Sequence, residues 1–146
     1  MPGKLIRLAA LGPREWLLLC QLVPFALCLG VSLRYLSLSR LIDLLTWETE
    51  WSFLQPFPLG HRAVTVDQLV VLADFAARGT GIIGRCLARS LLLFWLLKVR
   101  GEPVDLKIGV RRGADSIFGH AWIEQQGRIL LDPQTTSEEF VSVFHS

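Results

Sequence analysis

The sequence predicts an α+β fold: a central buried helix packed on an antiparallel sheet, with a helical extension ahead of both. Three observations predict it. The run CLARSLLLFWLLKV, residues 86–99, has helix length, no breaker and apolar residues almost all round, the pattern of a helix enclosed on every side. Val104, Leu106, Ile108 and Val110 alternate with Asp105, Lys107, Gly109 and Arg111, the period of a half-buried strand, and GHAWIEQQGRILLDP, residues 119–133, reads as a hairpin. Ahead of these, the first third of the chain is leucine-rich with helical rhythm. At 146 residues the chain is long enough to enclose a core. It divides into an apolar helical segment with a linker, residues 1–62, and a core, residues 63–146.

The N-terminal segment carries no charge from Trp16 to Leu33, which is the short limit of a membrane span. Lys4, Arg7 and Arg14 precede it, so a signal peptide is also weighed. Gln21, Pro24 and Ser32 dilute it, no small-residue cleavage site follows, and Arg34 and Arg40 close it. These features predict a pair of apolar helices, broken near Pro24 and packed on the rest of the chain. Membrane insertion, or peripheral contact through residues 16–33, is the alternative. Cys20, Cys28 and Cys86 are odd in number and scattered, forming neither a disulfide framework nor a metal or redox spacing. That fits a reducing, cytoplasmic compartment, with no structural metal. Cys20 and Cys28 read as small buried hydrophobes. A net charge of +2 without a basic stripe argues against nucleic acid as a partner.

The next stretch, residues 36–46, keeps helical spacing through Leu38, Leu41, Ile42 and Leu45. From Trp47 to His61 the period is lost, and Pro56, Pro58 and Gly60 mark a linker. Its aromatic residues, Trp47, Trp51, Phe53 and Phe57, are expected to lie against the body of the protein, and His61 and the near-terminal His145 to be solvated. Thr65, with Gln68 three residues on, has the spacing of a capping box. Leu69, Leu72, Ala73 and Ala76 give the following helix one apolar face, and Arg78–Gly79 ends it. A glycine-rich turn leads into Cys86 and the central helix, which Gly101 stops.

For the hairpin, QQG suits a three-residue loop with Gly127 in the left-handed position. In that register Glu124 faces Arg128, Trp122 faces Leu130 and His120 faces Asp132. A two-residue loop would set His120 and Asp132 on opposite faces. A carboxylate bonded to one imidazole nitrogen fixes the tautomer, and the other nitrogen can then serve a nucleophile. Cys86 is the candidate. It opens a long helix, where unpaired backbone N–H groups and the helix dipole favour a thiolate and can hold an oxyanion. Singly, each residue has a plainer reading: a buried thiol, a core histidine, a turn aspartate.

RCLARSLLLFWLLKVRG, LKIGVRRG and FGHAWIEQQGRILLDP together resemble the transglutaminase-like leader peptidases of lasso-peptide biosynthesis, of the split type in which leader recognition sits on a separate small protein. The likeness covers about residues 63–133, and the leucine-rich front is similar less specifically. It implies a papain/transglutaminase-like core, with Cys86 as nucleophile, His120 as general base and then acid, and Asp132 as the orienting acid. It implies removal of the leader from a ribosomally made precursor peptide through a thioester, without cofactor or metal. The implied partners are the precursor, a small leader-binding protein and an ATP-dependent lasso cyclase. Arg89 and Ser90 match the motif and are assigned packing or capping roles. Gln68 is ranked low as an oxyanion donor because capping explains it. The alternatives are an acyl transferase of the same fold and a non-catalytic, membrane-associated subunit of a peptide-maturation complex.

Overall fold

The structure is a computed structural model and describes residues 11–50, 58–78, 85–130 and 141–145. Its elements run α1 (Pro13–Tyr35), α2 (Leu38–Glu50), a 3-10 turn (His61–Ala63), α3 (Val66–Ala77), α4 (Arg85–Val99), β1 (Asp105–Arg112), β2 (Ile117–Gln125), β3 (Arg128–Ile129) and β4 (Val141–His145). The strands form one antiparallel sheet in the order β3-β2-β1-β4. This is the expected α+β arrangement, with α4 at its centre.

Leu91 to Leu97 of α4 are each at most 4% exposed. Enclosing seven such side chains contributes a gross stabilisation of about 10–20 kcal/mol, before conformational entropy is set against it. Sheet residues Leu106 and Ile123 share this core with side chains from α1, α2 and α3. α4 ends as a Schellman motif: Gly101 (φ 78°) follows the last turn, the Gly101 amide donates to the Lys98 carbonyl, and the Glu102 amide donates to Leu97.

α1 is one unbroken helix, so the expected break near Pro24 is corrected. A proline inside a helix costs about 3 kcal/mol. Here Leu18, Leu19 and Leu22 on one side of it, and Ala26 and Leu29 on the other, all enter the core. Their burial, at about 1.5–3 kcal/mol for each leucine, outweighs the local penalty. Phe25 stacks on Trp95 of α4 with ring centroids 4.3 Å apart. Gln21 explains its own place in an oily helix: its side-chain amide donates to the Leu59 carbonyl at 3.2 Å and accepts from the Leu59 amide at 2.8 Å. Cys20 and Cys28 are exposed, not buried.

The linker reading also changes at both ends. Helix α2 runs on to Glu50, so Trp47 sits on a helix rather than in the linker and is 56% exposed. Trp51, Phe53 and Phe57 lie outside the described residues. His61 is 2% exposed, not solvated. Its Nδ1 lies 2.6 Å from the Pro58 carbonyl, the contact of a ring N–H donor. Burial, and secondarily the charges of Arg62 and Arg100, hold its pKa below the ordinary value of 6.5 against that hydrogen bond. α3 begins as expected: the Gln68 amide donates to Thr65 Oγ1 at 3.2 Å, and the Thr65 amide donates to Gln68 Oε1 at 2.7 Å. Leu69, Leu72, Ala73 and Ala76 are its buried face.

Candidate active site

Cys86 lies in the first turn of α4, a free, partly buried thiol. The helix is fixed there from two sides. Arg89 donates to Asp74 of α3 at 3.0 Å, and Asp74 also receives Arg78 at 2.9 Å. Burial alone would raise the Asp74 carboxyl, but the hydrogen bonds and charges of Arg89 and Arg78 outweigh it and hold the group below its ordinary value. One residue on, Ser90 is fully buried and its Oγ donates to the Ala121 carbonyl of β2 at 2.8 Å. Cys86 and Ser90 are four residues apart, one above the other on one face of the helix. The bond to Ala121 therefore lies one turn below the thiol and one residue beyond His120.

The direction of that bond matters. The Leu130 amide donates to the Ile123 carbonyl, so alternate carbonyls of β2, Ala121 included, point towards the β3 side. β3 is described over Arg128–Ile129, and residues 131–132, which would continue it towards Ala121, lie outside the described residues. The Ser90 hydroxyl donates to that carbonyl, so α4 contacts β2 one residue beyond His120.

His120 is half-buried, with its Nε2 enclosed. Strand alternation sets it on one face with Phe118, Trp122 and Glu124. The His120 and Trp122 rings lie 19° from parallel with centroids 6.3 Å apart. Trp122 Nε1 donates to Glu124 Oε1 at 3.0 Å, and the other oxygen of Glu124 takes the Lys107 ammonium. This row holds the indole beside the imidazole. Opposite His120 on β1 stands Gly109, so no cross-strand side chain competes for the imidazole's space.

The hairpin register departs from the expectation. Glu124 pairs with Ile129 and Gln125 with Arg128, which makes the loop two residues long. Gln126 (φ 50°) and Gly127 (φ 78°) are both left-handed, the requirement of the tight hairpin turn whose twist matches the strands. Glu124 accordingly faces Ile129 rather than Arg128, and its cationic partner is Lys107. In this register His120 and Asp132 are not directly opposed, so the cross-strand reason for joining them falls. Asp132 itself lies outside the described residues.

Gln68 is engaged at both ends. Beyond its cap, its Nε2 donates to Glu15 of α1. A cleft of about 280 Å³ opens beside this contact, between the starts of α1 and α3, and includes neither Cys86 nor His120. Among the described residues no group of three or more His, Cys, Asp and Glu is placed to hold a metal ion. Arg89 and Ser90, given packing or capping roles from sequence, are the residues that seat the cysteine helix. Their signal was their place in the Cys-Leu-x-Arg-Ser run.

An enclosed helix with a cysteine in its first turn, tied to a strand of an antiparallel sheet, defines a recognisable class of α+β protein. The family model described as the transglutaminase-like superfamily matches residues 25–145, and the chain belongs to that superfamily, which includes cysteine peptidases and acyltransferases. The match begins inside α1. No curated protein and no solved structure matches the chain.

Proposed function

We propose that the protein is a cysteine peptidase that removes the leader from a ribosomally made lasso-peptide precursor, with Cys86, His120 and Asp132 as its catalytic residues. The observation that carries the reading is the Ser90–Ala121 hydrogen bond, which sets the first turns of the cysteine helix against the strand of His120. Membership of the superfamily supports thiol acyl chemistry. The sequence likeness supplies the substrate.

In the first step the Cys86 thiolate adds to the carbonyl carbon of the last leader residue. Backbone N–H groups at the start of α4 stabilise the oxyanion. The C–N bond breaks as the His120 imidazolium gives its proton to the departing amine of the core peptide, leaving a thioester. Water then adds, His120 accepts its proton, and the leader leaves as a free acid while the thiol is restored. Asp132 is assigned as the acid that orients the imidazole on the sequence likeness alone. Partners of this reading are the precursor peptide, a separate small leader-binding protein and the ATP-dependent cyclase that consumes the freed amine.

The test is a reconstituted cleavage assay read by mass spectrometry, with precursor, leader-binding partner and either wild type or Cys86→Ala. Intact leader and core from the wild type alone support a peptidase. An amine-capped leader in place of the free acid assigns the chain to acyl transfer. Equal processing with both chains leaves a non-catalytic subunit.

A further inference from the structure

We propose that the outward face of α1 binds the headgroup region of an anionic lipid bilayer, with the helix lying parallel to the membrane plane. The helix has two apolar faces. One, carrying Leu18, Leu22, Ala26 and Leu29, is in the core. On the other, Trp16 and Leu17 are each 48% exposed, Leu27 is 44% and Val31 is 58%, with Pro24 and both cysteines exposed between them. At 3.6 residues per turn these outward residues fall within an arc of about 120°, opposite the buried one. Followed to Tyr35, which is 83% exposed, the stripe is about 28 Å long. Folded monomers rarely expose an apolar strip of this length without a partner for it.

Charge and composition choose lipid over protein. Arg14 and Arg34, both exposed, stand at the two ends, and exposed Arg40 follows. No acidic residue occurs from Trp16 to Ile42. Basic groups at both ends match anionic headgroups, and Trp16 and Tyr35 are the aromatic types that settle at a membrane–water boundary. Between Trp16 and Val31 the outward stripe offers no hydrogen-bonding side chain except thiols, whereas protein interfaces carry about one hydrogen bond per 100–200 Å². α1 is long and apolar enough to cross a membrane, but its inner face is taken by the protein core. A helix in the interfacial plane, sunk about 5–10 Å, uses the outward face alone.

The proposal does not rest on the catalytic reading, since the stripe contains neither Cys86 nor His120. It is tested by flotation of the full chain with phosphatidylcholine vesicles and with vesicles of equal parts phosphatidylcholine and phosphatidylglycerol. The wild type is expected to float with the anionic vesicles. Leu27→Glu with Val31→Glu is expected to weaken that binding at least about tenfold, with an unchanged melting curve because both residues are exposed. Quenching of Trp16 by brominated lipid, taken as the difference between wild type and Trp16→Phe, reads the same contact without the charged variants. Absence of wild-type flotation, equal flotation of the double variant, or no Trp16 quenching overturns the proposal. So does a wild-type dimer in solution that the double variant dissociates without any vesicle binding, because the face would then belong to a second copy.

Discussion

Replacing Ser90 by alanine tests the link between the cysteine helix and the sheet. The hydroxyl is fully buried and donates to Ala121, itself 1% exposed, at 2.8 Å. Alanine fits the space but leaves the Ala121 carbonyl with neither its donor nor ready access to water. An unsatisfied buried acceptor costs about 1–3 kcal/mol. For a chain of this size each kcal/mol lowers the melting temperature by about 2–4 °C, so a fall of about 2–12 °C is expected. Thermal melts and urea titrations measure it, and the urea slope should stay constant because the surface exposed on unfolding is the same. Ser39→Ala, at an exposed site on α2, is the control and should change stability by less than about 0.5 kcal/mol. In the cleavage assay Ser90→Ala should also slow product release from the precursor, since about 1 Å of misplacement can cost about a hundredfold in rate. A stability within about 0.5 kcal/mol of wild type would refute the view that this bond seats α4 on β2.

Asp74→Asn should destabilise by about 1–3 kcal/mol at neutral pH, since it strips the carboxylate from mostly buried Arg89. The folded carboxyl titrates below its unfolded value of 3.8, so its contribution is present above that value. The gap between wild type and variant in urea titrations should close as pH falls through the folded value. His61 acts in the same sense in a higher pH window: its folded pKa is depressed, so below 6.5 the unfolded chain binds a proton that the fold refuses. Stability should therefore rise with pH through that window and level off above it, and His61→Gln should flatten the slope in melts across that range. Gln126→Asn should raise the melting temperature by a few degrees, about 0.5–1 kcal/mol, because asparagine tolerates the left-handed conformation that Gln126 is held in.

The parts of the fold that were legible in the sequence are those decided locally. Thr65 and Gln68 satisfy one another within a single turn, so the start of α3 could be placed to the residue. α4 could be placed because a helix apolar all round has one destination. At Pro24 the local cost is real, and what overrides it is the burial of Leu22 and Ala26 in the core and the stacking of Phe25 on Trp95 of α4, which the local pattern does not show. His61 reads as a loop residue until the 3-10 turn and Arg100 close over it. The hairpin register turns on one dihedral: glutamine at 126 is not a residue that announces a positive φ, so QQG reads as a three-residue loop. In the candidate site, the helix start at Cys86 and the strand of His120 were legible from spacing. The hydrogen bond that ties α4 to β2 was not, because it joins Ser90 and Ala121 across 31 positions of the chain.

Cleavage of the precursor by the wild type, Cys86→Ala and His120→Ala, each with the leader-binding partner and each shown to be folded by its melting curve, decides whether this chain is the peptidase. Loss of leader release in both variants, with a thioester-linked leader trapped on the wild type at early times, is the predicted result. Leader release undiminished by Cys86→Ala would contradict it and would place the chemistry outside this chain.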